Sequence, residues 1–157
     1  MAPDTRDRLI LFGGRAAGNL DDTWALLSPE RRRPAALFTF DWSEAQANIT
    51  DITSVAVYAV AGARGYDATS APVDGFSVEV WRSDIAAWTP LTTSTAGPAA
   101  PTLATGTETD VGAAQSMIDA AQQMHVRVLP TERNGPAPDL AEVIVDFVDV
   151  TVSYTRP

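Results

Sequence analysis

The sequence predicts an all-β domain: a jelly-roll-like two-sheet antiparallel sandwich with an N-terminal β-hairpin and at most one short helix. Three observations carry this expectation. The final stretch, residues 140–154 (LAEVIVDFVDVTVSY), is crowded with Val, Ile, Phe and Tyr and holds no Gly or Pro, the composition of a pleated, half-buried strand. Short alternating apolar runs recur along the chain between clusters of Gly, Pro, Asp and Ser. One segment alone, residues 112–123, has helical spacing. The last stretch also changes phase. Val143, Val145 and Phe147 share one side of the period-2 pattern, and Val148, Val150, Val152 and Tyr154 share the other. Such a flip means a β-bulge or a strand bending from one packed sheet to another. Asp146 and Asp149 straddle the flip and are expected to face water.

The elements follow in order. Residues 8–12 (RLILF) are a short apolar run stopped by Gly13-Gly14, and residues 21–27 (DDTWALL) form a second strand around Trp24, Leu26 and Leu27. Together they read as a β-hairpin whose glycines permit the positive φ of its turn. Residues 28–34, polar and bounded by two prolines, are the one joint in the chain. It divides an N-terminal hairpin or arm, residues 1–34, from a sandwich domain, residues 35–157. In residues 36–42 (ALFTFDW), Phe38, Phe40 and Trp42 share a face. Residues 49–63 are apolar on both faces over 55–60, as in a central strand. Residues 64–74 read as a loop. Residues 74–81 alternate, with Phe76, Val78 and Val80 inward and Ser77, Glu79 and Trp81 outward. Residues 86–91 make a short strand anchored by Trp88. Residues 92–112 are rich in Thr, Ala, Pro and Gly and read as a long surface loop with a short edge strand. In residues 112–123, Ala113, Met117, Ile118 and Ala121 lie on one helix face. Met124, Val126 and Val128 then share a strand phase, and residues 131–139 turn into the last strand.

Composition bounds the function. The 157 residues suit one domain with its own core. There is no cysteine, hence neither a disulfide nor a thiolate metal site. The 11 basic residues are all arginine against 20 acids, giving a formal charge of −9, which opposes a nucleic-acid partner because phosphate binding needs a basic patch. The one cationic cluster, Arg31-Arg32-Arg33, sits in a connecting segment and reads as solvated or interface-pairing. No signal peptide is visible at the N-terminus, and no apolar run approaches the ~20 residues of a membrane span.

Two resemblances follow from these residues. LILFGGRAAGNLDDTWALL, residues 9–27, resembles the first half of a kelch repeat. The second half of that motif is missing and no further copy follows, so the hairpin reading stands. From residue 35 onward the strand order resembles jelly-roll sandwiches of the carbohydrate-binding-module type and similar domains of phage virion proteins. The residues carrying it are ALFTFDW, the pair VAVYAVAG and VDGFSVEVWRSDIAAWTPL, and the closing pair MHVRVLP and EVIVDFVDVTVSY. It is a likeness of pattern without a signature residue.

Few residues point to catalysis. The single histidine, His125, lies mid-strand on the phase of Arg127 with no partner visible in sequence, and there is no GxSxG elbow. Zinc would need several His or Cys ligands. Asp146 and Asp149, three apart in a strand, have poor geometry for a paired carboxylate role. Asn19, Asp21 and Asp22 are weak metal candidates, better read as turn and cap residues. The aromatics Trp42, Tyr58 and Trp81 remain as carbohydrate or interface contacts, with Phe12 and Trp24 on an assembly arm. The expectation is a non-catalytic structural protein, a phage virion component (capsid decoration, connector or tail) acting through subunit contacts. The alternative is a carbohydrate-binding module using exposed aromatics. The implied partners are copies of itself and other virion proteins, or a glycan. No cofactor, nucleic acid or membrane is implied, and the place is the virion or, for the alternative, outside the cell.

Overall fold

A computed structural model of the chain describes residues 8–9, 35–42, 50–132 and 141–157. Among the described residues nine strands and one short helix follow in order: β1 (Arg8–Leu9), β2 (Ala36–Asp41), β3 (Asp51–Tyr66), β4 (Pro72–Asp74), β5 (Phe76–Arg82), β6 (Ala87–Ser94), β7 (Thr102–Glu108), α1 (Val111–Ser116), β8 (Gln123–Pro130) and β9 (Glu142–Thr155). They form two antiparallel sheets. The β3 sheet runs β1-β9-β3, with β4 and β7 both pairing along the far edge of β3. The β5 sheet runs β2-β8-β5-β6. The chain passes repeatedly from sheet to sheet, which gives the jelly-roll-like sandwich. Only β5 and β6, and β3 and β4, follow one another within a sheet.

The phase change in the last strand is a β-bulge. Along β9, Val60 of β3 faces Phe147 and Ala61 faces Val145, so Asp146 is the extra residue. On one side of it Val143 is buried; on the other Val148, Val150, Val152 and Tyr154 are buried, and Phe147 is turned out. The strand stays in one sheet throughout, pairing with β3 on one edge and β1 on the other. Of the two meanings of a phase flip, the structure selects the bulge. A second register shift, at Thr53 of β3, performs the same correction for Ile52, which would otherwise leave the core face that Val55, Val57, Ala59, Ala61 and Ala63 occupy. Small alanines on β3 leave room for Val148 and Val143 opposite them, the alternation of small and large that interdigitates a thin core.

Facing this layer, Phe40, Phe76, Val78, Val80, Met124, Val126 and Val128 come from the β5 sheet. Each buried Val or Phe contributes about 1.5–3 kcal/mol relative to exposure. Ala114 and Met117, at 0% and 1% exposure, add a plug from α1.

Several expected boundaries move. The supposed loop over 64–74 is mostly ladder: β3 continues to Tyr66, and β4 pairs back on it, with Arg64 opposite Asp74. Residues 92–112 hold a seven-residue strand, β7, paired with the middle of β3. Its Thr-Leu-Ala-Thr-Gly composition hid it because only Ala104 and Gly106 face inward. At Gly106 the chain passes so close to β6 that a Cβ would lie 2.7 Å from the Leu91 backbone, so no side chain signals this strand. The helix is shorter than its periodicity suggests. Asp110 caps it by accepting from the Ala113 N–H at 2.8 Å, and it ends at Ser116. Three residues later Asp119 accepts from the N–H groups of Ala121 and Gln123, both at 2.9 Å. That side chain competes with helical bonding and folds 119–123 into the turn that starts β8.

Candidate functional site

The outward faces of the two sheets differ in chemistry. On the β5 sheet, Thr39 of β2 is opposite His125 of β8. Because Val80 is opposite Val126, the next residue of β5, Trp81, stands level with His125, and Trp81 is opposite Trp88 of β6. One transverse row of the sheet therefore reads Thr39, His125, Trp81, Trp88. In the adjacent row Arg127 lies between Leu37 and Glu79. These side chains fix one another. Arg127 Nε donates to Glu79 Oε2 at 2.8 Å, and its guanidinium lies 4.4 Å from the Trp88 ring centroid. Trp88 meets Trp81 edge to face with centroids 5.6 Å apart. Glu79 is only 5% exposed, a depth at which a carboxylate requires such a partner.

His125 is not alone, as it is in sequence. Its Nε2 lies 3.2 Å from Asp119 Oδ2 and its Nδ1 lies 3.1 Å from Thr39 Oγ1. Asp119 titrates below the usual carboxylate range, held there first by the Gln123 backbone N–H and then by His125 and the Ala121 N–H. Hydroxyl, imidazole and carboxylate in line resemble a nucleophile triad, but the ring is reversed from the usual order, in which Nε2 faces the hydroxyl. Thr39 also sits on a flat strand, whose successive N–H groups point in opposite directions and do not converge on a reacting carbonyl oxygen.

The outer face of the β3 sheet is mixed: toward one end Arg64 lies between Asp74 and Glu142 and pairs with Asp74 at 2.7 Å, while the middle rows are apolar or uncharged at their exposed positions. Val60 is opposite Leu103 on one side and Phe147 on the other. Leu103 is 60% exposed and Phe147 43% exposed. The next rows are Thr105, Tyr58, Asp149 and then Thr107, Ala56, Thr151. The one acid among them, Asp149, is buried at 3% exposure. This corrects the expectation that Asp146 and Asp149 both face water: Asp146 is exposed, while Asp149, opposite Tyr58 on the outer face, is buried.

The three aromatics singled out in sequence do not form one site. Trp81 is on the outer face of the β5 sheet and Tyr58 on that of the β3 sheet. Trp42 turns between the sheets, edge-on to Tyr154 at 5.4 Å. There it lines an apolar slot with Phe40, Ile118, Met124, Val150 and Val152. Phe12, Trp24, Asn19, Asp21 and Asp22 lie outside the described residues, as does the arginine cluster. Trp88, Arg127, Glu79, Asp119 and Thr39 were not assigned to a site from sequence. Only the alternation of residues 74–81 and the aromatic Trp88 after a short turn pointed toward their shared face. Leu103 was hidden in the presumed loop.

Among the described residues no helix is long and apolar enough to cross a membrane, and no three His, Cys, Asp or Glu side chains cluster as metal ligands. No protein-family model matches the chain, and no curated protein or solved structure matches it.

Proposed function

We propose that this chain is a non-catalytic structural protein that works by subunit assembly, as a decoration, connector or tail component of a phage virion. The observation that carries the assembly part is the outer face of the β3 sheet. In a chain of net charge −9, the row Leu103, Val60, Phe147 is apolar and its neighbouring rows are threonine, alanine and tyrosine around a buried acid. Surfaces of acidic chains repel one another, and the strip of β7, β3 and β9 spanned by these rows, which carries no exposed charge, is where two can pack with less of that penalty. Exposed Leu103 and Phe147 flanking Val60 in one row across three strands also mark an interaction surface rather than scattered apolar residues. The virion part rests on the resemblance of the strand pattern to virion sandwiches.

The mechanism is burial of this face, on the order of 1,000 Å² or more in total for a specific contact. Size exclusion with light scattering and negative-stain imaging of the purified chain are the test. The reading expects discrete multimers or rings whose fraction rises with concentration. A monomer that persists at high concentration contradicts it.

A further inference from the structure

The β5 sheet has two edges, and they differ in how they are protected. On one side β6 carries Pro90, which has no N–H to offer a further strand, and a bulge between Thr92 opposite Val78 and Pro90 opposite Glu79. There β7 also lies against it, at Gly106. On the other side β2 has no proline and no bulge, and its one charge, Asp41, is at its end. Among the described residues β8 is the only strand that pairs with β2. We infer that the free edge of β2 joins the same edge of a second copy of this chain, antiparallel about a two-fold axis at Thr39. The inference rests on the assembly reading above and adds a second surface to it.

The register follows from the hydrogen bonds. Phe40 is opposite Met124 and Asp41 opposite Gln123, and one residue further the Trp42 N–H donates to the Gln122 carbonyl at 2.8 Å. Backbone groups alternate sides along an antiparallel strand. Trp42, Phe40, Phe38 and Ala36 therefore direct theirs to β8, and Leu37, Thr39 and Asp41 direct theirs to the open edge. The side chains agree with this alternation. Thr39 Oγ1 lies 3.1 Å from His125 Nδ1, and Gln123 Nε2 donates to Asp41 Oδ1 at 2.9 Å, the closer approach of pairs whose backbones do not bond each other. Leu37, Thr39 and Asp41 are also the exposed residues of the strand. Two such edges match when Thr39 faces Thr39 and Leu37 faces Asp41. Each of these three pairs exchanges two hydrogen bonds, so every free group of the edge is satisfied. A slip of two residues loses a pair, and a slip of one sets residues of opposite faces against each other.

Charge and packing suit this register. Asp41 meets Leu37 rather than its own copy. The two Asp41 stand about 13 Å apart along the strands, beyond the ~8 Å Debye length of physiological salt. Phe38, partly buried against the core, comes beside Phe40 of the second copy, an aromatic cross-strand pair. Solvated edge hydrogen bonds are weak in net terms, so this contact closes only where the β3 faces have already brought copies together. Copies that use a different surface for each of two neighbours grow past a pair into chains or closed rings.

The chain has no cysteine, so single introduced cysteines report the register. Across a hydrogen-bonded pair the Cα atoms are about 5.5 Å apart, within the ~4.4–6.8 Å that a disulfide spans. Under mild oxidation of the full chain, Thr39→Cys is expected to form covalent pairs at least tenfold faster than Asp41→Cys, and Asp41→Cys to cross-link once mixed with Leu37→Cys. Thr39→Pro replaces the central edge N–H with a ring and leaves every bond to β8 in place. In sedimentation velocity it is expected to stop at a smaller species than wild type, while Thr39→Val, which keeps the N–H, sediments as wild type does. Equal cross-linking of Thr39→Cys and Asp41→Cys, or assemblies of wild-type size from a folded Thr39→Pro, overturns the edge contact and leaves the β3-face reading standing. A wild-type chain that stays monomeric overturns both.

Discussion

At the residue scale the acids of this chain divide into those that hold structure and those that only carry charge. Asp84 is held down to about 2, first by its hydrogen bond from Arg82 and then by Ser116. Asp74 is lowered by Arg64, and Asp67 by the Thr69 hydroxyl and the N–H groups of Ala71 and Thr69. Asp119 is lowered as described above. A carboxyl whose folded value lies below its unfolded value of 3.8 binds fewer protons when folded. It therefore contributes stability that is present above that pH and is lost as pH falls through the folded value. Urea midpoints are expected to hold near neutral pH and fall between about pH 4 and pH 2; a midpoint that rises across that window contradicts these assignments. The ion pairs differ too. Arg64–Asp74 is exposed, with side chains 40% and 43% accessible, and Arg127–Glu79 is not, at 27% and 7%. Exposed pairs contribute little, whereas removing one partner of a buried pair costs about 3–5 kcal/mol. With part of Arg127 still reaching solvent, Arg127→Ala is expected to cost about 2–4 kcal/mol, read as a denaturant-midpoint shift, and Arg64→Ala to leave the midpoint nearly unchanged.

At the scale of elements the account turns on β9 and its extra residue. Deleting Asp146 would remove the bulge and force one half of the strand to present its Val side chains outward. Either Val143 and Val145 or Val148, Val150, Val152 and Tyr154 would leave the core. Loss of cooperative unfolding, or a drop of about 4 kcal/mol or more from displaced valines, is expected for the deletion. Asp146→Gly keeps the residue count and should cost little. A deletion variant as stable as wild type would show that the register is not fixed by this residue. How far sequence reaches is clear at this scale. The bulge was legible because Phe147 and Val148 are adjacent apolar residues in a strict alternation, and β5 because Phe76, Val78 and Val80 alternate with Ser77, Glu79 and Trp81. β7 was not, because its inward positions are Ala104 and Gly106 and its large side chain, Leu103, points outward. The end of α1 was not either, because the turn over 119–123 that follows it is held by Asp119 hydrogen bonds that leave no trace in apolar spacing.

At the scale of the whole molecule, two sheets enclose one apolar core and leave two faces of unlike character. Sequence showed Trp81 on an outward phase and Tyr58 on a strand apolar on both sides. It could not place them on opposite faces, since that depends on which strands share a sheet. Nor could it show His125 with partners, because Thr39 and Asp119 come from 86 residues and 6 residues away. The central claim is that the face around Val60 mediates association. Sedimentation velocity of the wild-type chain beside a Leu103→Glu/Phe147→Glu double variant, over a hundredfold range of concentration, tests it most directly. Both side chains are exposed, so the variant should keep its fold and thermal midpoint. The account predicts that wild type sediments as a concentration-dependent assembly and the variant as a monomer. Identical distributions for the two, whether monomeric or assembled, would contradict it.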